Sequence, residues 1–119
     1  MKKLLISFIF AAISCLAADI TGTWKGTAEG PNGKIERTFV FKVDGNRLTG
    51  ETTSEMMGKS TIEDGKIEND SLTFSININF QGQQMKLKYQ GKVAEKQMKL
   101  HVETDDGSFA TDYIAERVP

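Results

Sequence analysis

The stretch Gly22-Thr23-Trp24-Lys25-Gly26 contains the only tryptophan of the 119-residue chain and opens its first predicted strand. Trp24 and Gly26 face one side of an extended backbone, and Thr23 and Lys25 face the other, because successive side chains of a strand alternate. The segments that follow repeat this alternation, whereas helical spacing appears over no useful length. The sequence therefore predicts an all-β protein.

Eight strands are predicted from this alternation and from the Gly-, Asn- and Asp-rich turns between them. The clearest is Ser71–Phe80, in which five large apolar residues alternate with Thr, Ser and Asn. The predicted fourth strand is interrupted by Asp64-Gly65, which marks either a bulge or a division into two short strands. The predicted ranges are 22–30, 34–44, 47–54, 59–68, 71–80, 84–93, 97–104 and 108–118.

A weak internal repeat indicates how these strands are connected. In segments that begin at Lys42, Lys66 and Lys92, a branched apolar residue precedes Leu or Met by five positions, across a polar tip. Two strands and two turns fill such a period, as in an up-and-down meander. An open meander leaves two exposed edges, which closure removes. The predicted fold is therefore a single antiparallel up-and-down β-barrel of about eight strands, filled by side chains or holding one small ligand.

Residues 1–17 differ from the rest of the chain. Lys2 and Lys3 precede an apolar run followed by small residues, which is typical of a secretory signal peptide. A cut after Ala17, or alternatively after Ala18, leaves a barrel domain of residues 18–119 in a secreted or periplasmic location. The run is shorter than the roughly 20 residues of a membrane span, which disfavours a retained anchor. A lipid-modified Cys15 is a further alternative and would anchor the protein to a membrane.

Charge and composition exclude several classes of function. Two of the 15 basic residues and none of the 16 acidic ones lie in the leader, so the remaining domain has a net charge of −3. This mild acidity argues against nucleic acid and anionic membranes as partners. One histidine, His101, on a predicted outer face, and no cysteine beyond the leader exclude the usual Ser-His-Asp, Cys-His and multi-histidine metal sites. No cofactor and no catalytic residue are predicted.

Arg37 is the odd member of the predicted inward face of the second strand, among Ile35, Phe39, Phe41 and Val43. A buried charge needs a partner, so Arg37 either captures a carboxylate or phenolate of a ligand together with a tyrosine, or lies near the barrel mouth and reaches water. The predicted ligand-binding residues are Arg37, Phe39, Phe41, Phe74, Ile76, Leu87, Tyr89 and Tyr113.

Met56 and Met57 precede the predicted fourth strand. Two adjacent flexible thioethers form either an adaptable lid over the barrel mouth or a plug of the core.

Gly22 and Trp24 on the first strand, the eight-strand meander and Arg117 near the end of the last strand resemble the calycin barrels: lipocalins, fatty-acid-binding proteins and avidins. In lipocalins a Gly-x-Trp closes the base of the barrel, and a basic residue of the last strand packs over the tryptophan. The resemblance implies this closing role for Gly22, Trp24 and Arg117, with a cation–π attraction of roughly 0.5–2 kcal/mol. Tyr113 and Arg117 resemble only loosely the inward Arg and Tyr of fatty-acid-binding proteins, because the order and spacing differ. The chain is shorter than a usual lipocalin and is closer to a minimal lipocalin-like or avidin-like domain of the kind found in secreted bacterial proteins.

The expected function is non-enzymatic binding of a small apolar or amphipathic molecule inside the barrel. One alternative is a packed barrel that contacts a protein or polysaccharide through its outer surface. A second is a hydrolase, which would need a pair of inward carboxylates. No such pair is predicted, because the acidic residues lie mostly at turns.

Overall fold

A computed structural model describes residues 19–30, 33–55 and 57–119, without the side chain of Phe80. The predicted leader with Cys15 and the loop residue Met56 lie outside these residues. The described residues form nine strands: β1 (Gly22–Gly30), β2 (Gly33–Asp44), β3 (Arg47–Ser54), β4 (Gly58–Thr61), β5 (Glu63–Glu68), β6 (Ser71–Phe80), β7 (Gln83–Val93), β8 (Gln97–Thr104) and β9 (Ala110–Arg117).

The strands form one closed antiparallel barrel, which confirms the predicted fold class. β1 pairs with β2, β2 with β3, and β5 to β9 pair in chain order. β9 returns to β1, where Trp24 faces Arg117 and Gly26 faces Ala115. β3 completes the ring by pairing with β5. Eight strand positions therefore make an up-and-down barrel, and the ninth strand arises from a division of one of them.

The divided position is the predicted fourth strand: the predicted bulge occurs at Asp64-Gly65, whereas the division lies two residues earlier, at Ile62. β4 pairs with the second half of β3, and β5 pairs with the first half through Arg47 and Leu48. Between them, Ile62 is outside either strand and donates its backbone N–H to the Gly50 carbonyl at 2.9 Å. The register then shifts between Glu63 and Lys66 against β6. A break and a bulge together bend the chain along one edge of β3.

The other strand ends agree with the predicted ranges within two residues. β9 begins at Ala110 instead of Ser108, because residues 105–109 form a hydrogen-bonded turn. β2 and β7 each begin one residue earlier than predicted. One face assignment differs, since Ser75 is buried although its neighbours Thr73 and Asn77 are exposed. The Ser75 hydroxyl donates to the Glu63 carbonyl at 3.4 Å, so the bulge of β5 covers it.

The core fills the half of the barrel that contains the turns between β2 and β3, β5 and β6, and β7 and β8. Its centre is an aromatic cluster in which Phe39 lies 5.7 Å from Phe41 and 6.3 Å from Phe74, ring centroid to ring centroid. Phe74 stacks on Tyr89 at 4.6 Å. Aliphatic side chains surround the cluster: Leu48, Ile67, Leu72, Ile76, Met98, Leu100 and Val102.

Candidate functional site

The opposite half of the barrel encloses a cavity of about 580 Å³. This volume is within the range of small-molecule sites. The cavity lies at the end where the chain turns between β3 and β4 and between β8 and β9. Its lining residues are Lys34, Ile35, Glu36, Arg37, Ser54, Glu55, Met57, Ile78, Met85, Leu87, Tyr89, Val102, Thr104, Phe109 and Tyr113.

Arg37 is the charged group inside this cavity. Its side chain points inward from β2 and the residue is 5 % exposed, so it does not extend to bulk water as one interpretation of the sequence required. Nη1 donates to the Thr52 hydroxyl at 3.1 Å, and Nε is buried without a hydrogen-bond partner. Among the described residues, no carboxylate forms an ion pair with it. A buried guanidinium is therefore neutralised by no acidic group of the described chain.

Two tyrosines accompany Arg37 in the lining. The rings of Tyr89 and Tyr113 lie 6.5 Å apart, and each is also in edge contact with Phe39. Burial raises the pKa of Tyr89 far above its ordinary value, against a smaller opposing effect of the Arg37 charge. The Tyr89 hydroxyl therefore stays protonated at neutral pH and can donate a hydrogen bond.

Gly26 allows the rings of Phe39 and Tyr113 to pack closely against β1. It pairs with Arg37 on β2 and with Ala115 on β9. A Cβ atom at Gly26 would lie 2.9 Å from the Phe39 ring and 3.3 Å from the Tyr113 ring. The missing side chain thus leaves room for the rings of Phe39 and Tyr113 against this part of β1.

Arg37 lies on β2 between the packed core and the mouth of the cavity. Phe39, two residues along β2 from Arg37, is fully buried and belongs to the packed core below. Ile35, two residues in the other direction, lies nearer the mouth and is partly buried. Met57 and Met85 also line the cavity and are partly buried against the core. The guanidinium therefore shares the cavity with several apolar side chains.

The charged residues of the lining other than Arg37 lie at the rim. Lys34, Glu36 and Glu55 are exposed. Oε2 of Glu36 forms an ion pair with Nζ of Lys25 at 3.5 Å on the outside of the barrel. These carboxylates therefore face solvent at the mouth.

The far end of the barrel is closed by the residues that the calycin resemblance singled out. The Trp24 indole is 1 % exposed and donates from Nε1 to the Ile20 carbonyl at 2.9 Å. The Arg117 guanidinium lies 4.7 Å above the indole ring and donates to the Thr21 carbonyl at 2.8 Å and the Asp19 carbonyl at 3.2 Å. Gly22 has a positive φ of 136°, and a Cβ there would lie 3.0 Å from Arg117 Nη1. This end holds together the first and last strands and the segment before β1.

Of the eight predicted ligand-binding residues, the cavity brings together four: Arg37, Leu87, Tyr89 and Tyr113. The other four, Phe39, Phe41, Phe74 and Ile76, point inward but are packed in the core below it. Alternation identifies an inward side chain but carries no information about its depth. Met57, which the sequence analysis placed in either a lid or a plug, both lines the cavity and packs on the core.

Other candidate chemistry is sparse in the described part of the chain. His101 lies on the outer face, with Nδ1 2.7 Å from a carboxylate oxygen of Asp112. Residues 19–30, 33–55 and 57–119 contain no group of three metal-binding side chains. Within the same residues, no helix has the length and hydropathy needed to cross a membrane.

Comparisons with family models, with curated proteins and with solved structures find no match to this chain.

Proposed function

We propose that this barrel binds one small amphipathic molecule in its open half, without catalysing a reaction on it, and that an acidic group of the ligand contacts Arg37. The observation that carries the proposal is the buried guanidinium, which has one hydrogen bond and no acidic partner among the described residues. Burying a charge without a partner costs free energy, and a ligand carboxylate would recover it.

The surroundings of Arg37 support an amphipathic ligand over a small inorganic anion. The cavity of about 580 Å³ exceeds the needs of such an ion, and much of its wall is apolar. Ile35, Ile78 and Met85 offer apolar surface in the same cavity, and the neutral Tyr89 hydroxyl offers a further donor.

The likeness to calycin barrels agrees with this role, because many of them carry a small molecule in the interior. It rests on Gly22, Trp24 and Arg117 and on the strand pattern. The predicted leader of residues 1–17 would deliver the barrel outside the cytoplasm, where a binding protein of this kind acts as a carrier or scavenger.

The cavity also bears on the alternative of an outer-surface interaction module. A barrel that contacts partners only through its outer surface does not need a buried arginine, and burying that charge without an acidic partner costs free energy. An apolar residue in place of Arg37 would pack there without this cost.

The test is displacement of Nile red, a neutral apolar dye, from purified protein of residues 18–119. Decanoate should displace the dye saturably, at about one molecule per chain. Arg37→Met should weaken decanoate binding by roughly 10- to 100-fold, the value of a charge-assisted hydrogen bond, and leave decanol binding unchanged. Arg47→Met is the matched control, since Arg47 is exposed at the packed end of the barrel. Absence of any displacement, or equal decanoate affinity in Arg37→Met and the wild type, would refute the proposal.

A further inference from the structure

Phe109 is an exposed aromatic residue at the edge of the cavity. It is 43 % exposed, at least as much as any other large hydrophobic residue in the described part of the chain, and it contributes to the cavity lining. Single exposed apolar residues are common and need no explanation by themselves. The structure around Phe109 is what distinguishes it.

The turn between β8 and β9 fixes the backbone of Phe109 at both of its polar groups. Its N–H donates to the Thr104 hydroxyl at 3.1 Å, and its carbonyl accepts from the Thr104 N–H at 2.9 Å. Thr104 lines the same cavity and is buried. The position of Phe109 at the mouth is thus set by direct bonds to the cavity wall.

Asp106 holds the remainder of this turn. One of its carboxylate oxygens accepts from the Thr104 hydroxyl at 2.8 Å, from the Ser108 N–H at 3.0 Å and from the Ser108 hydroxyl at 2.8 Å. The hydrogen bonds from Ser108, with that from Thr104, lower the pKa of Asp106 to about 2. The carboxylate is therefore ionised at neutral pH, and its three hydrogen bonds connect Thr104 to Ser108 across the turn.

The position of Arg37 determines how an amphipathic ligand would lie in the cavity. The acidic group would enter first to reach Arg37, because Phe39 and the packed core block any passage below it. The apolar chain would then extend toward the mouth, where Ile35 and Phe109 line the same cavity. A short chain would end inside the barrel, whereas a long one would reach Phe109.

We infer that Phe109, held by the Thr104–Asp106–Ser108 turn, contacts the far end of the ligand's apolar chain and sets the chain length that this barrel retains. This inference rests on the proposed function and adds how the barrel selects among ligands. The ligand class is an acid with one anionic end and an apolar chain, and selection among such acids occurs at the mouth.

The experiment measures dissociation constants for hexanoate, decanoate and tetradecanoate below their micelle-forming concentrations, by Nile red displacement. Phe109→Ala removes the ring from an exposed position and leaves the buried core intact. It should weaken tetradecanoate binding roughly tenfold through lost apolar contact. Hexanoate, which ends below the mouth, should bind Phe109→Ala and the wild type within twofold of each other.

A second variant tests the turn without removing the contact residue. Asp106→Asn removes the anion that holds Thr104 and Ser108, so it should lower tetradecanoate affinity several-fold and leave hexanoate affinity unchanged. Asp105→Asn is the matched control, because the Asp105 carboxylate pairs with Lys88 at 2.9 Å and takes no part in the network around Phe109. Asp106 is a positioning residue, and a selective effect on the long chain is what a general loss of stability would not produce.

Two results would overturn the inference. If Phe109→Ala weakens the binding of hexanoate and tetradecanoate equally, Phe109 does not select ligands by chain length. Unchanged affinity for all three acids would show that the chain does not reach it. Both results differ from failure of the proposed function, in which the wild-type protein binds none of the acids or Arg37→Met binds decanoate as tightly as the wild type does.

Discussion

Trp24 and Arg117 connect the first strand, the last strand and the segment before β1 through the contacts of two side chains. The indole is buried and donates to the Ile20 carbonyl, while Arg117 covers the ring and donates to the carbonyls of Asp19 and Thr21. Sequence reasoning could predict the pair, because a Gly-x-Trp and a late arginine form a recognisable pattern. It could not predict the carbonyl partners, since Ile20 and Thr21 precede the strand and follow no periodic pattern.

Removal of the indole should therefore destabilise the whole protein. Trp24→Ala is expected to lower the free energy of unfolding by about 3–5 kcal/mol, the usual cost of deleting a large buried aromatic side chain. A double-mutant cycle with Arg117→Ala should give a coupling energy of about 0.5–2 kcal/mol from the cation–π contact. Urea denaturation measures both quantities. Val118→Ala, at an exposed position beside Arg117, serves as the control and should change stability by less than about 0.5 kcal/mol. A loss well under 1 kcal/mol in Trp24→Ala would contradict the closing role.

Among the strands, the division between β4 and β5 is the feature that the sequence pattern did not locate. Alternation could not distinguish a bulge from a break at Asp64-Gly65; the structure has the bulge there, and the break between β4 and β5 lies at Ile62. The deciding quantity is a distance between strands, which no local pattern encodes. Asp64 adopts a positive φ of 53°, and a Cβ atom at Gly65 would lie 2.0 Å from the Leu48 carbonyl oxygen. The glycine is required because a neighbouring backbone passes directly over it.

Gly65→Ala should consequently be costly although it adds one methyl group. The backbone carbonyl of Leu48 cannot rotate away as a side chain can, so we expect a loss of about 2–3 kcal/mol in the free energy of unfolding, from the upper part of the range for overpacking. Gly82→Ala is the comparison, because its Cβ would meet nothing within 4 Å and only its positive φ of 82° opposes the substitution. That conformational cost is about 1–2 kcal/mol. If Gly65→Ala proves the milder of the two, the close approach of β3 and β5 is wrong.

For the whole molecule, the barrel consists of a packed half and an open half, and the sequence predicts the two unequally. Alternation identified the inward faces of β2, β6 and β7, and these faces are the ones that the structure buries. It did not show that Phe39 and Phe74 fill the core while Ile35 and Phe109 line the cavity. Depth along a barrel depends on the stagger of neighbouring strands, which is a property of the closed sheet. The polar residue Arg37 was the exception, because a charge on an apolar face is visible in the sequence.

We expect Arg37 to lower the stability of the ligand-free barrel and to provide ligand affinity in its open half. In the absence of ligand, Arg37→Met should raise the free energy of unfolding by about 1 kcal/mol, because methionine fills similar space and removes the buried charge, and this gain exceeds the cost of leaving the buried Thr52 hydroxyl without its bond to Arg37. Decanoate at ten times its dissociation constant should stabilise the wild type by about 1.4 kcal/mol and have little effect on the variant. Urea denaturation with and without decanoate measures both differences, and Arg47→Met should behave as the wild type does. A destabilised Arg37→Met would mean that the bond from Arg37 to Thr52 contributes more to the fold than the buried charge costs, and that the arginine is retained for structure.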